Sequence, residues 1–303
     1  MNGTHDVVVI GAGVAGLSAA LESARHGLRV CLIEELLFGG LVVNVNHLLP
    51  AVAGLPASGI DLAAELMTRV SDLGVTSVFE SVTGLQTGNG LSVMTAEGAH
   101  RAQAVIVASG ARLRKLGIPG EAEFQDRGVS HCADCDAPLY QGQDVMVVGG
   151  GDSALQEALV LSEHCARVHL VHRGASFSAR REFVEKLRER PNILRKMETV
   201  VEELRGEEAL SRVTIRGADG TSAEISCTGF FAYVGLEPNT SFLSDQSALD
   251  LHGRVMVDAQ LESAIRNVYA IGVVRAGYGG QLEDAMFDAR AAAIAVARRL
   301  GRV

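Results

Sequence analysis

A strand–turn–helix–strand pattern with a glycine-rich turn occurs twice in this chain and constrains its fold more than any other feature. The first copy has an apolar run at 7–10, the turn Gly11-x-Gly13-x-x-Gly16, a helical segment, and a second apolar run that leads into Glu34. In dinucleotide-binding folds the first glycine permits the tight turn, the second lets the backbone approach a pyrophosphate, and the third lets the helix pack closely on the strand. The acid after the second strand is placed to bind a ribose hydroxyl.

The second copy begins with the apolar run 145–148 and continues through the turn Gly149-x-Gly151-x-x-Ala154, a helix and another strand. It ends in His172 and Arg173 instead of an acid, and a base at this position suits the 2′-phosphate of NADP. The alternative is that Arg173 is an ordinary surface residue at a strand end. Two such units predict an α/β fold with two Rossmann-like (three-layer ββα) dinucleotide-binding domains, the second inserted in the first.

The remaining sequence supplies further helices and strands. We predict helices at 58–73 and 285–300, strands at 104–108, 230–234 and 268–272, and short strands with glycine turns within 75–93. The charged segment 180–190 has apolar residues at helical spacing, which indicates a solvated surface helix.

Composition excludes several classes of function. The formal net charge is −9, which argues against a nucleic-acid-binding protein. No apolar run approaches the ~20 residues of a membrane span, so no membrane partner is expected. The five cysteines of the 303-residue chain do not suggest a disulfide scaffold and favour a reducing, cytoplasmic location. The histidines show no ligand spacing, so no metal site is expected.

A pair of cysteines lies between the two glycine motifs, in the sequence His131-Cys132-Ala133-Asp134-Cys135-Asp136. The CxxC spacing permits a disulfide that opens and closes with little backbone change, and a position at a helix start lowers the pKa of the thiol. A neighbouring carboxylate can carry a proton during exchange. Two alternatives stay open. The pair can be half of a zinc site, with His131, His164 or Cys165 as further ligands, or it can be structural. The other cysteines, Cys31, Cys165 and Cys227, are expected to be small core residues.

Taken together, these features resemble the low-molecular-weight, bacterial-type thioredoxin reductase family, in class II of the pyridine nucleotide-disulfide oxidoreductases. The resemblance covers nearly the whole chain, and a CxxC-Asp motif just before the second glycine motif is specific to that family. It is carried by GAGVAG (11–16), SGARLRKLGIPGE (109–121), GVSHCADCDAPLYQGQDVMVVGGGDSALQEA (128–158) and FFAYVGLEPNTSFL (230–243).

The resemblance implies an FAD-dependent disulfide oxidoreductase that passes electrons from NADPH or NADH through FAD and the Cys132–Cys135 disulfide to a thioredoxin-like protein. Cys132 would be the exchange thiol, Cys135 would lie nearer the flavin, and Asp136 would be the acid and base. The FAD-binding domain would comprise 1–113 and 246–303, and the NAD(P)-binding-like domain with the CxxC centre 114–245. A homodimer is expected.

The family's cofactor-binding positions transfer to this sequence residue by residue. FAD contacts are expected at Gly11, Gly13, Ala15, Gly16, Glu34, Gly40, Gly110, Gly272 and Gln281, and nicotinamide-nucleotide contacts at Gly149, Gly151, Asp152, Ser153, Ala154 and Arg173.

Several departures from the family pattern leave alternatives open. Two of the three arginines of the family's NADPH motif are replaced, by Gly174 and Ser178, with Arg180 and Arg181 close downstream. Family residues on the flavin side are replaced by Leu41, Leu48, Val273 and Phe287. One alternative is therefore a related flavoprotein that uses another donor, such as a ferredoxin, or that oxidises dithiols with oxygen. A second is a redox-inert nucleotide-binding or sensing protein.

Overall fold

A computed structural model describes residues 4–45, 48, 56–88 and 90–302. The chain forms two compact units, the first comprising Met1–Arg112 and Glu237–Val303, and the second Leu113–Leu236. The expected second boundary was between 245 and 246. Residues from 237 onwards group with the first unit because Asn239 bonds to the backbone of Ser109 and Gly110, and because Phe242 and Leu243 are buried in that unit's core.

The first unit opens with the predicted strand–turn–helix–strand pattern. Strand β1 (His5–Ile10), helix α1 (Val14–Arg25) and strand β2 (Val30–Glu34) are followed by α2 (Gly59–Asp72) and β3 (Thr76–Phe79). The chain continues through β4 (Val82–Gln86), β5 (Leu91–Thr95) and β6 (Ala99–Val107). The sheet order is β3-β2-β1-β6-β5-β4. The pairs among β3, β2, β1 and β6 are parallel, whereas β4, β5 and β6 form an antiparallel meander.

Two short strands, β7 (Ala111–Leu113) and later β16 (Leu236–Pro238), pair with each other where the chain leaves and re-enters the first unit.

The second unit repeats the pattern around a parallel sheet. Its strands are β8 (Val129–Ser130), β9 (Asp144–Val148), β10 (Arg167–Val171), β11 (Ile193–Lys196) and β15 (Gly229–Ala232), in the order β11-β10-β9-β15-β8. Its helices are α3 (Ala133–Asp136), α4 (Asp152–Ser162) and α5 (Arg181–Arg188). On α5 the apolar residues Phe183 and Leu187 are buried, so the predicted charged helix packs by its narrow apolar face.

A three-stranded antiparallel sheet in the second unit was not predicted from the sequence. It consists of β12 (Thr199–Gly206), β13 (Leu210–Gly217) and β14 (Ser222–Ser226). Buried Leu210, Val213 and Ile215 of β13 face the second unit's core. The break between Leu210 and Val213 obscures the alternation that would have identified the strand.

The chain returns to the first unit and closes it with β17 (Val268–Ala270), which pairs with β6, and with the long helix α6 (Leu282–Arg299). Helix α6 begins at Leu282, three residues before the predicted start. It starts there because Gln281 and Asp284 form a reciprocal capping box. Among the described residues, no helix is long and apolar enough to cross a membrane.

Candidate active site

The first glycine loop lies between β1 and α1, and its three glycines meet different surroundings. A Cβ on Gly11 (φ +97°) would lie 2.4 Å from the Ala108 carbonyl oxygen, and a Cβ on Gly16 would lie 1.8 Å from the Gly11 carbonyl oxygen. A Cβ on Gly13 would meet nothing closer than 3.7 Å. Backbone packing therefore requires the first and third glycines, whereas the second leaves space that a bound group can occupy.

The start of helix α1 is suited to an anion. No side chain caps its N-terminus, and no acid lies in its first turn, so its backbone N–H groups are available to a phosphate. Gly40 and Gly272 border this place with positive φ. A Cβ on Gly40 would be 3.3 Å from Gly13 Cα, and one on Gly272 would be 3.0 Å from Ala15 Cβ. These predicted FAD positions thus come together around the loop.

Glu34 ends β2 and holds the glycine loop through its carboxylate. Its Oε2 accepts a 2.7 Å hydrogen bond from the backbone nitrogen of Ala12. Its Oε1 accepts from the backbone nitrogens of Glu35 at 2.9 Å and Leu36 at 3.2 Å. A carboxylate has about four acceptor sites, so capacity remains for a ribose hydroxyl.

Three other positions predicted on the flavin side have defined local roles. The side chain of Gln281 takes part in the capping box of α6. Gly110 adopts φ +70°, and a Cβ there would meet nothing within 4 Å. The backbone nitrogen of Gly272 donates to Asp288, a buried acid that also pairs with Arg275 through two hydrogen bonds of 2.7 and 2.8 Å.

Of the four side chains that depart from the family pattern, two are exposed and two are half-buried. Phe287 is 74% exposed and Leu41 is 42% exposed. Leu48 is half-buried and packs against the first unit's core, and Val273 is half-buried. The loop, the free helix start and Glu34 together fit the dinucleotide part of FAD.

In the second glycine loop, between β9 and α4, the first glycine is likewise closely packed and the second leaves open space. A Cβ on Gly149 would lie 2.4 Å from the Tyr233 carbonyl oxygen and 2.7 Å from Ala154 Cβ. A Cβ on Gly151 would meet only Ser178 Oγ, at 4.0 Å. The residue after β10 differs from its counterpart in the first unit, because it is His172 and not an acid. The ring of His172 lies against Gly150, where an added Cβ would be 2.2 Å from the ring atom Cε1.

The arginines near this loop differ in availability. Arg180 donates to Asp152 from its backbone nitrogen at 2.7 Å and from Nε at 2.6 Å. Arg181 pairs with Glu185 at 2.6 Å. Arg173 is exposed, and no carboxylate among the described residues pairs with it. Of the three, Arg173 is thus the one available to a 2′-phosphate. The predicted nucleotide position Ser153 is exposed beside Asp152 at the start of α4.

The two cysteines of the CxxC motif, Cys132 and Cys135, form a disulfide. Cys132 caps helix α3, and its Sγ accepts a 3.1 Å hydrogen bond from the backbone nitrogen of Cys135. The backbone nitrogen of Asp136 donates to the Cys132 carbonyl oxygen at 3.2 Å. Cys132 is half-buried and Cys135 is exposed.

The zinc alternative for this pair lacks further ligands. Among the described residues, no third His, Cys, Asp or Glu forms a ligand group with Cys132 and Cys135. His164 hydrogen bonds to Gln141, and Cys165 is free and buried, as are Cys31 and Cys227. The expectation of small core residues for these three cysteines agrees with their burial.

A partly buried carboxyl on α4, the helix that packs against α3, was missed by the sequence analysis. Glu157 is half-buried, its Oε2 is buried without a hydrogen-bond partner among the described residues, and burial raises its pKa to about 7. The Tyr233 hydroxyl accepts from the Ala133 nitrogen at 3.3 Å, and burial raises the pKa of Tyr233 as well. The available signal was a lone acid one helical turn beyond the glycine motif, on the face that packs inward.

Comparison with known proteins places this site in context. Residues 5–296 match the family model described as pyridine nucleotide-disulphide oxidoreductase. The chain is 36% identical over 301 residues to a thioredoxin reductase of Treponema pallidum, covering 98% of this chain and 97% of that protein. It is similar to the crystal structure of Lactococcus lactis thioredoxin reductase in its FR conformation (TM-score 0.92, 31% identity, 99% of this chain and 100% of that chain).

A second solved structure, the thioredoxin reductase of T. acidophilum, has a TM-score of 0.90 and 30% identity over 98% of this chain and 99% of its own. The two glycine loops, the CxxC disulfide that lies between them in sequence and these full-length similarities agree with one another. The chain belongs to the pyridine nucleotide-disulphide oxidoreductase family and is an oxidoreductase of the thioredoxin reductase type.

Proposed function

We propose that this chain is an FAD-dependent enzyme that reduces the disulfide of a thioredoxin-like protein through Cys132 and Cys135. The observation that carries the proposal is the Cys132–Cys135 disulfide at the start of helix α3, in which the Cys132 sulfur is hydrogen bonded to a backbone N–H. The relatives named thioredoxin reductase support the substrate class.

The hydrogen bond to Cys132 supports this residue as the attacking thiol. A backbone N–H that donates to sulfur stabilises a thiolate more than a thiol. In the reduced enzyme, the Cys132 thiolate attacks one sulfur of the substrate disulfide. A mixed disulfide forms, and the other substrate sulfur leaves as a thiolate that takes up a proton.

The second half of the exchange uses Cys135 and Asp136. Cys135 gives its proton to the Asp136 carboxylate and attacks the Cys132 sulfur, which restores the Cys132–Cys135 disulfide. The second substrate sulfur leaves as a thiolate and takes up the proton from Asp136, which is thereby ionised again. The substrate has then gained two electrons and two protons, and the cysteine pair has lost two electrons.

The residues that would hold the cofactors are those around the two loops. FAD would bind at Gly13 and the start of α1, with its ribose at Glu34, and a nicotinamide nucleotide would bind at Gly151 with Arg173 near a 2′-phosphate. When bound, FAD supplies the hydride acceptor and the two-electron donor to the disulfide. Because Arg180 and Arg181 are already paired, we expect a weaker preference for NADPH over NADH than three arginines would give.

A second candidate function keeps the flavin and the dithiol but changes the electron donor. It is favoured by the His172 ring, which lies against Gly150 in the second loop, and by the paired arginines. The donor would then be a protein such as a reduced ferredoxin, or the enzyme would oxidise dithiols with oxygen.

An anaerobic titration of the purified flavoprotein with NADPH and then NADH distinguishes these candidates. Bleaching of the flavin by stoichiometric nicotinamide supports the first, and a thioredoxin reduction assay follows. Bleaching by dithionite alone supports the second. Cys132→Ser and Cys135→Ser should each abolish disulfide turnover and retain bound FAD, whereas unchanged turnover in either variant would reject the dithiol mechanism.

We further propose a homodimer that works in the cytoplasm. The resemblance to the family supports the dimer, as do exposed apolar side chains such as Leu36, Leu37 and Phe287. The free thiols of Cys31, Cys165 and Cys227 are compatible with a reducing compartment. Light scattering of the FAD-loaded protein tests the dimer, because a monomer mass at working concentration would contradict it.

A further inference from the structure

Three side chains that are far apart in sequence meet in the first unit, near the start of β1 and so at the opposite end of that strand from its glycine loop. His5 starts β1, Cys31 lies in β2 and His100 lies in β6, and the sheet order places these three strands side by side. Their ligand atoms all lie within 4.8 Å of one another, and Cys31 Sγ is 4.0 Å from His100 Nδ1. The separation of these residues in sequence explains why spacing gave no indication of the cluster.

The surroundings of His100 fix which of its ring nitrogens faces the cysteine. Its Nε2 is 2.8 Å from Glu80 Oε2, and the same oxygen accepts a 2.7 Å hydrogen bond from Thr95 Oγ1. A hydrogen on Nε2 satisfies the carboxylate and leaves the lone pair of Nδ1 directed toward Cys31 Sγ. In metal sites, ligating histidines characteristically donate their second ring N–H to a carboxylate in this way.

The ligand set and its spacing suit a borderline divalent cation. Zn–S and Zn–N bonds of about 2.3 and 2.0–2.1 Å place tetrahedral ligand atoms about 3.5 Å apart. The observed separations therefore require only small side-chain movements. A thiolate at Cys31 and the carboxylate of Glu80 would balance the two positive charges of the ion. Cys31 is fully buried, whereas His100 and Glu80 are each 18% exposed, so an ion can enter from one side.

We propose that His5, Cys31 and His100 form a Zn²⁺ site, with Glu80 as the outer carboxylate that orients His100 and with a water molecule as the fourth ligand. The thiol of Cys31 releases its proton to solvent when the ion binds. The site ties the first strand of the chain to its neighbours β2 and β6. It is independent of the disulfide exchange proposed above, so failure of one proposal leaves the other standing.

Cobalt binding to the intact, oxidised flavoprotein tests the site. In the oxidised protein, Cys132 and Cys135 are joined to each other and are not available as competing ligands. After treatment with a chelator, one equivalent of Co²⁺ per chain should give tetrahedral ligand-field bands, at wavelengths longer than the flavin absorption, and a thiolate-to-cobalt charge-transfer band. Zn²⁺ should displace the cobalt, and Mg²⁺ should not.

Two variants make this test specific. Cys31→Ser should lose the charge-transfer band, whereas the matched control Cys165→Ser, at another buried free cysteine, should keep it. Glu80→Gln should weaken cobalt binding about 10- to 100-fold, the usual cost of losing such an outer partner. Absence of the bands from the wild-type protein, or their persistence in Cys31→Ser, would overturn the proposal.

A stability measurement keeps the proposal testable if Cys31→Ser folds poorly. Zn²⁺ should raise the thermal midpoint of the wild-type protein, because an ion that binds only the folded state stabilises it. His5→Gln lies at the start of β1 and should keep the fold and the flavin but lose this increase. An equal increase in His5→Gln and the wild type would mean that zinc binds elsewhere, and the site would be rejected.

Discussion

The backbone nitrogen of Ala12 donates a 2.7 Å hydrogen bond to the carboxylate of Glu34, so the acid that ends β2 is tied directly to the glycine loop before α1. The other oxygen of the same carboxylate accepts from two further backbone nitrogens. Glu34 therefore shapes the loop from within the protein, in addition to the ribose contact expected from the sequence.

Replacing Glu34 should weaken FAD binding more than the loss of a single ribose contact would. Glu34→Ala removes the carboxylate and with it the three hydrogen bonds that it accepts from backbone nitrogens in and beside the loop. Hydrogen bonds to charged groups contribute about 1.5–3 kcal/mol each, so we expect FAD to dissociate at least about tenfold more readily. The ratio of flavin to protein absorbance after dilution measures this. Glu35→Gln, at the exposed neighbouring acid, is the control and should keep its flavin.

Gly13 and Gly16 should respond differently to the same added methyl group. Gly13 has φ −70° and open space at its Cβ position, so Gly13→Ala should fold normally and bind FAD poorly. In Gly16→Ala the new Cβ would lie 1.8 Å from a backbone oxygen, so the fold itself should lose about 1–3 kcal/mol or more. Thermal unfolding and flavin content of both variants check this. A Gly13→Ala variant that retains FAD would show that the open space does not receive the cofactor.

Arg173 should carry most of any preference for NADPH. Arg173→Ala should raise the KM for NADPH about tenfold, the effect of about 1.5 kcal/mol from one charged contact, with little change for NADH. Arg181→Ala is the matched control, because Arg181 is paired with Glu185 and should leave both constants unchanged. Equal KM changes for the two nucleotides in Arg173→Ala would place the 2′-phosphate away from this residue.

Glu157 should make stability fall as the pH rises from about 4.5 to 7. Burial raises its pKa from 4.5 to about 7 in the folded protein. Between these values the folded state holds a proton that the unfolded state has released, so folding is favoured at the lower pH and the advantage is lost through pH 7. Glu157→Gln removes this dependence. The free energy of unfolding of the variant minus that of the wild type should therefore be larger at pH 8 than at pH 5, by up to about 3 kcal/mol.

Urea unfolding at both pH values measures the difference, and Glu163→Gln provides the control. Glu163 follows α4 and is exposed beside Arg190, so its replacement should shift stability equally at pH 5 and pH 8. A pH-independent difference between Glu157→Gln and the wild type would mean that Glu157 is ionised in the folded protein.

Local sequence predicted the parts of the site whose function depends on neighbouring residues. Glycine spacing identified both loops, because turn geometry and close packing act over a few residues, as at Gly11 and Gly16. The CxxC spacing likewise identified the disulfide. The predicted helix start at Ser58 depends on a capping bond to Asp61, three residues further on. The equivalent pair Gln281 and Asp284 was not recognised, and α6 begins three residues before its predicted start.

The features that were not predicted depend on contacts between distant segments. The ring of His172 covers Gly150, and Arg180 reaches Asp152, because the loop after β10 folds back onto the start of α4. Glu157 acquires its environment from α3 and Tyr233, on either side of it in sequence. Periodicity within one element carries no information about such pairs. Only the structure shows that Arg180 and Arg181 are already paired with carboxylates, and the expected coenzyme preference depends on that pairing.

The Cys132–Cys135 bond closes a very small ring of the chain, since its cysteines are three positions apart. A cross-link restricts the unfolded chain in proportion to the logarithm of the loop it closes, from about 3 kcal/mol for 15 residues to about 4.7 for 100. A four-residue loop lies well below that range. The same relation gives about 1.9 kcal/mol for four residues. The oxidised and reduced forms should therefore melt within a few degrees of each other, and the protein can open and close this bond in every turnover with little change in its stability.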